Sequence, residues 1–315
     1  MNNMRGKMLS GKRYNTLNDE LFRKFGEKVS KIAIDGGFTC PNRDGTISSY
    51  GCLFCNEKGS GDFSSALYDI DKEINNQIKI NQRKWNTNKF IAYFQAFTNT
   101  YADVETLKKK YEICITRENV VGLAVATRPD SFTEEIYDYL EELNDRTFLW
   151  VELGLQTVNE DTSKLINRGY NLDVYEECIS ELKKRNIKVV THLIFGLPYE
   201  DKTDMLNSVK FVANTNTWGI KFHSLYIQTD SRLYDYYIAN QFKLLTKEEY
   251  VDIVALAISY LPKEMVIHRL TGDANKKLLF KPEWCSDKLS VISSIDKRLK
   301  ELDLYQGFNY NNNME

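Results

Sequence analysis

No run of this chain approaches the roughly 20 apolar residues that span a bilayer. The opening MNNMRGKMLSGKRYN lacks the apolar core of a secretion signal. No membrane association is expected, and the chain is placed in the cytoplasm, a reducing compartment where grouped cysteines suggest metal or catalysis before disulfides. Charge of one sign is lacking too. The 42 Lys and Arg against 44 Asp and Glu leave a net charge of −2, so the overall balance points to neither nucleic acid nor membrane. No internal repeat, low-complexity segment or linker interrupts the 315 residues, which suffice for one large core with appendages.

Charge is nevertheless uneven. Arg5, Lys7, Lys12, Arg13, Arg23, Lys24, Lys28 and Lys31 face only Asp19, Glu20 and Glu27, and a second group runs Lys276, Lys277, Lys281, Lys288, Lys297, Arg298 and Lys300. Such runs read either as solvated faces or as phosphate contacts.

Three of the six cysteines fall in FTCPNRDGTISSYGCLFC: Cys40, then Cys52 after eleven residues, then Cys55 after two. Neither a fourth cysteine nor a histidine is close. A structural zinc takes four protein ligands, and the first histidine, His192, lies far along the chain. Unconnected buried cysteines would not need this spacing. An iron–sulfur cubane normally takes four thiolates, so three would leave one iron open to a ligand. Cys114, Cys178 and Cys285 show no cluster spacing; the first two fall on helix patterns as core residues, and the third reads as packed.

Apolar runs KIAIDG (31–36), KFIAYFQA (89–96), VVGLAVATR (120–128), FLWVELGLQ (148–156), KVVTHLIFGLP (188–198) and GIKFHSLYI (219–227) alternate with amphipathic helical segments. That rhythm predicts an α/β fold with a parallel sheet covered by helices. Six β/α units are too few for a closed eight-unit barrel. A partial (β/α)6 barrel fits, with a doubly wound sheet as the alternative. Residues 1–30 read as a basic N-terminal extension, 31–228 as the barrel, and 229–315 as a substrate-contacting C-terminal extension. In the last, LTKEEYVDIVALAISYLP reads as a helix with a capping box at Thr246 and Glu249, EMVIHRL as a further strand, SVISSIDKRLKELD as a final helix, and YNNNME as a frayed end. The cysteine triplet follows the first strand, at the C-terminal mouth where such folds keep their active sites.

Cys52-x-Phe54-Cys55 after a first strand resembles the radical S-adenosylmethionine (SAM) superfamily. The strings GGFTCPNRDG, YFQAFTNTYA, ATRPD, ELGLQT, INRGYN, HLIFGLP, HRLTGD and PEWCSDK are similar to its YhcC/YtqA-type branch over nearly the whole chain. The first cysteine gap of eleven departs from the superfamily's common three. The resemblance implies a 4Fe–4S cluster on Cys40, Cys52 and Cys55, with SAM chelated on the open iron. It also implies reductive cleavage to a 5′-deoxyadenosyl radical and hydrogen abstraction from substrate. Gln95, Asn99 and Thr100 then stand where relatives bind the SAM amino group, although the usual Gly-Gly-Glu is absent. Thr127 and Arg128 close the third strand. Glu152 and Gln156 would serve the ribose hydroxyls and the methionine carboxylate, Arg168 would face that carboxylate, and Gly196 of GLP would lie by adenine.

Each has a structural counterpart: Glu152 paired with an arginine, Arg168 capping its own loop, His192 and His223 as satisfied core histidines. His268, Arg269 and Asp273 of HRLTGD are either substrate-facing or an ion pair that orders the C-terminal extension. The branch implies tRNA wobble-uridine maturation, carboxymethylaminomethyluridine to aminomethyluridine, with tRNA as substrate and a flavodoxin or ferredoxin as electron donor. The competing readings are a radical SAM enzyme acting on a protein or small metabolite, and a non-catalytic zinc or iron–sulfur protein that binds tRNA.

Overall fold

The computed structural model describes residues 10–59 and 69–310. Arg5, Lys7 and all but the first residue of the YNNNME end lie outside them. Ten helices and nine strands alternate among the described residues.

The first six strands are β1 (Val29–Ile34), β2 (Lys89–Phe94), β3 (Val120–Thr127), β4 (Phe148–Gln156), β5 (Lys188–Phe195) and β6 (Gly219–Ser224), joined at the far edge by β8 (Val266–Arg269). Their order in one seven-stranded sheet is β1-β2-β3-β4-β5-β6-β8, so the chain adds each strand beside its predecessor. The pairs β1/β2, β2/β3, β3/β4 and β6/β8 are parallel. The expected partial β/α barrel is present, with the predicted strand EMVIHRL supplying its added edge strand. A ribbon the periodicity did not predict pairs β7 (Ile227–Gln228) antiparallel with β9 (Leu279–Lys281).

Burial on both faces explains the continuous apolar runs. Leu123, Ala124 and Val125 of β3 and Leu149, Trp150 and Val151 of β4 have no exposed surface, each large side chain contributing roughly 1.5–3 kcal/mol by leaving water. Gly122 lets β3 and β4 close up, since a Cβ there would stand 2.6 Å from the Phe148 carbonyl oxygen. The covering helices are α2 (Ile70–Trp85), α3 (Val104–Ile115), α4 (Glu134–Arg146), α5 (Glu160–Leu165), α6 (Leu172–Lys184) and α7 (Lys202–Asn214), after a short α1 (Leu17–Phe25). Asp69, Thr133 and Asp201 cap α2, α4 and α7 by accepting main-chain N–H bonds, which satisfies donors that a helix start leaves open. Beyond β6 come α8 (Arg232–Asn240), α9 (Lys247–Ser259) and α10 (Lys288–Glu301). The predicted capping box of α9 is made by Thr246 and Glu249.

Contacts divide the chain into two compact units. Unit 2 is Phe25–Leu155 with Ser163–Val190; unit 1 is Met1–Lys24, Gln156–Thr162 and Thr191–Glu315. Within unit 1 the N-terminal segment is held by the C-terminal one. Lys12 pairs with Asp296, Arg13 with Asp303 at 2.7 Å, and Asn15 donates its N–H to buried Gln306 at 2.7 Å. Among the described residues no helix is long and apolar enough to cross a membrane.

Candidate functional site

The loop after β1 folds back through local main-chain bonds. Arg43 and Asp44 donate N–H to the Cys40 carbonyl at 2.8 and 3.1 Å, and Cys55 donates to the Cys52 carbonyl at 3.1 Å. Cys40, Cys52 and Cys55 are all half-buried and unbridged. The fully buried Asn42 places its amide nitrogen 3.4 Å from Cys52 Sγ and 2.7 Å from the Asn167 carbonyl oxygen. Burial pushes the Cys52 thiol up, while the Arg128 charge and the Asn42 amide pull it down. Three reduced thiols, one beside an N–H donor and a fixed cation, suit an anionic thiolate-bound cluster. Among the described residues no three His, Cys, Asp or Glu side chains gather around one point as a single ion needs. A cubane spreads its thiolates over separate irons and does not require that. Phe54, between the last two cysteines, is half-buried.

Arg128 ends β3 and spends its guanidinium in three directions. It binds Asp130 through two bonds of 2.8 and 2.6 Å and donates to the Arg168 carbonyl at 2.8 Å. Arg168, 1% exposed, donates to the carbonyls of Tyr170 and Leu155, both at 3.0 Å. The Tyr170 ring lies 5.1 Å from the Arg128 guanidinium and 4.6 Å from that of Arg168. Beside this stack an open cleft of about 600 Å³ is lined by Ile47, Asp130, Lys164, Asn167, Tyr170 and Val174.

At the end of β2, Asn99 is fully buried and donates to the carbonyls of Phe94 and Ala126 at 3.2 and 2.7 Å, leaving its Oδ1 without a partner. An unfilled buried acceptor awaits a donor. Thr100 gives its hydroxyl proton to the Ser131 carbonyl at 2.6 Å, so the 2.6 Å contact to Thr127 is donated by Thr127. Gln95 is half-buried, its N–H on the Ile34 carbonyl at 3.2 Å. Glu152, 1% exposed, accepts from the Tyr93 hydroxyl and the Trp150 indole N–H, both at 2.8 Å. These aromatic donors were not anticipated; an arginine was the expected structural partner.

In unit 1, Gln156 holds a left-handed φ of +70° and Gly196 one of +88°. A side chain at Gly196 would also press on Leu245 at 3.1 Å. His192 and His223 stand with ring centroids 5.2 Å apart. His268 packs edge-on to Trp218 at 4.9 Å, Arg269 is half-buried on β8, and Asp273 accepts from Lys288 at 2.8 Å. For Asp273 the geometry is thus the ion pair that joins β8 to α10. Cys114, Cys178 and Cys285 are buried, and burial pushes each thiol up to about 12.

Sequence reasoning missed Asn42, Asp130, Tyr170 and Glu200. Asn42 sits inside the cysteine string, where an amide between two of the cysteines was the available clue. Glu200, after GLP, accepts from Thr157 at 2.5 Å and is pushed up to about 7, chiefly by burial.

The family pattern of the Radical SAM superfamily matches residues 43–212, and that of the Radical_SAM C-terminal domain residues 217–301. The uncharacterized protein YtqA of Bacillus subtilis is 44% identical over 94% of this chain and 92% of its own length. Protein YhcC of Escherichia coli is 35% identical over 91% and 92%. A tRNA uridine(34) acetyltransferase of Methanocaldococcus infernus is 25% identical over 50% of this chain and 29% of its own. Among solved structures, the archaeal Elp3 of M. infernus with an N-terminal deletion superposes with a TM-score of 0.67 at 18% identity, covering 90% of this chain and 67% of that one.

Proposed function

The chain belongs to the radical SAM superfamily, and from that premise we propose that it is a radical SAM enzyme maturing the wobble uridine of tRNA. The reaction proposed converts carboxymethylaminomethyluridine to aminomethyluridine: hydrogen abstraction from the carboxymethyl carbon and return of one electron to the cluster would give an imine, which water would hydrolyse to the amine and glyoxylate. A 4Fe–4S cluster with SAM, when bound, supplies one-electron cleavage and a hydrogen-abstracting 5′-deoxyadenosyl radical.

The remaining work falls to the chain. Cys40, Cys52 and Cys55 would hold the cluster, with Asn42 and Arg128 balancing its charge. The open Oδ1 of Asn99 would accept from the SAM amino group. The Glu152 carboxylate, an acceptor when ionised, would take ribose hydroxyls. Arg168, with two donors on main-chain carbonyls, would fix the loop that supports Arg128, and Gly196 would let the backbone approach the adenine.

The observation that carries the enzymatic reading is the loop of three unbridged thiols with an amide donor on Cys52. The tRNA reading draws on the relative named for uridine 34. Anaerobically reconstituted protein should hold about four irons and cleave SAM to 5′-deoxyadenosine, and replacing all three cysteines with alanine should abolish both. Deleting the gene should leave carboxymethylaminomethyluridine in bulk tRNA. Iron-free protein with one zinc would sink the enzymatic reading. An unaltered wobble-nucleoside profile alongside active SAM cleavage would redirect it to a protein or metabolite.

A further inference from the structure

Just past β5 the chain exposes an aromatic ring on a strained backbone. Tyr199 has a φ of +67° and is 67% exposed. Bulky residues with a Cβ rarely hold that conformation outside helix caps and turns, and such strain clusters at functional sites. The Tyr236 hydroxyl of α8 donates to the Tyr199 hydroxyl at 3.3 Å. Behind both, buried Phe242 lies 6.4 Å from the Tyr199 ring, 6.1 Å from Tyr236 and 5.2 Å from Tyr237. Tyr237 in turn meets Phe280 of β9 at 6.2 Å, and the Lys281 ammonium stands 5.6 and 5.9 Å from the Phe280 and Tyr237 rings.

The turn entering β9 carries exposed Lys276 and Lys277. Unlike Lys12, Arg13, Lys288 and Arg298, which are paired with carboxylates, these two and Lys281 make no ion pair among the described residues. Asp235, the acid of α8, lies about half a turn around the helix from Tyr237. Flat rings on a rigid backing beside unpaired cations suit a ligand that is both aromatic and anionic. Unstacked nucleotides are that ligand.

We propose that this face binds single-stranded RNA, stacking bases on Tyr199 and Tyr236 while Lys276, Lys277 and Lys281 hold the phosphates. The inference rests on the tRNA reading and assigns the recognition of loop bases to residues outside the cysteine and SAM site. The test titrates an anticodon stem-loop RNA, and a fully paired RNA of equal length, against the full chain. Tyr199→Gly removes the ring and relaxes the backbone, so it should fold normally yet bind the loop roughly 5- to 150-fold more weakly; Tyr199→Trp should restore binding. Lys276→Glu with Lys277→Glu should flatten the salt dependence. SAM cleavage without RNA should be unchanged in each.

Equal loop binding by wild type and both variant sets would overturn this face while leaving the tRNA reading intact. So would equal preference for paired RNA, or binding of peptides but no RNA. Face-dependent loop binding in a protein whose deletion leaves wobble nucleosides unaltered would uphold the face and overturn the proposed reaction.

Discussion

The amide nitrogen of Asn42 bridges two loops, standing 3.4 Å from Cys52 Sγ and 2.7 Å from the Asn167 carbonyl oxygen. An N–H donor on a ligating sulfur favours the reduced, more negative cluster. Asn42→Ala is therefore expected to lower the midpoint potential of the reconstituted cluster by a few tens of millivolts, the size of one hydrogen bond, with iron content retained. A redox titration followed by electron paramagnetic resonance reads this, and an unchanged potential would mean the amide serves only Asn167.

Glu152 offers a separation of fold from cofactor. Glu152→Ala leaves the Tyr93 hydroxyl and the Trp150 indole N–H facing a buried void, at a cost of about 2–4 kcal/mol in urea unfolding. Glu152→Gln keeps both contacts, because the Tyr93 hydroxyl can turn and accept, yet it removes the charge. It should unfold like wild type and bind SAM roughly 10- to 150-fold more weakly. Equal SAM affinity, measured by calorimetry, would confine Glu152 to packing.

The Glu200 carboxyl is pushed up to about 7, first by burial and further by Asp204 and Asp201, against the bond from Thr157. In the unfolded chain it titrates near 4.3. Between those values the folded state keeps a proton the unfolded state has released, so stability falls as pH rises through this window. Above 7 the loss levels off, at no more than about 4 kcal/mol. Glu200→Gln should match wild type near pH 4 and exceed it at pH 8. Parallel stability curves for the two proteins would show that no proton is held there.

Gln306 is 2% exposed, accepts the Asn15 N–H and donates to the carbonyls of Pro262 and Met265 at 2.6 and 2.8 Å. Gln306→Ala removes a partner from three buried main-chain groups at once, of which the Pro262 carbonyl keeps the Met265 N–H. A loss of about 2–4 kcal/mol is expected in chemical denaturation, with resistance of residues 10–24 to protease falling first. A loss below about 0.5 kcal/mol would indicate that water replaces the amide.

What the sequence disclosed followed from period and local chemistry. The β4 run 148–156 was read to its last residue, and Thr246 with Glu249 announced the start of α9, because both signals lie within one element. β7 and β9 span two and three residues, too short for any alternation to register. The Tyr93 partner of Glu152 was hidden for a different reason: it is 59 residues away and reaches across the sheet. Lys12 and Arg13 looked like phosphate contacts until folding set Asp296 and Asp303 against them, 284 and 290 residues on. The cysteine loop was legible from spacing, whereas the tyrosines of the exposed face are too scattered along the chain to form a motif.

The discontinuity of unit 1 bears on the order in which the protein matures during synthesis. Every partner named for the cysteine loop, from Asn42 to Arg128 and Asn167, is available once residue 190 has cleared the ribosomal exit tunnel, because unit 2 is complete in sequence there. Asn15 emerges long before but waits for Gln306, almost the last described residue. Chains arrested with residue 190 just clear of the tunnel should shield the stretch from Cys40 to Cys55 from protease while residues 10–24 remain open to cleavage. The thiols would then be gathered, and exposed to iron supply or to oxidation, while the lysine-bearing C-terminal half is still being translated.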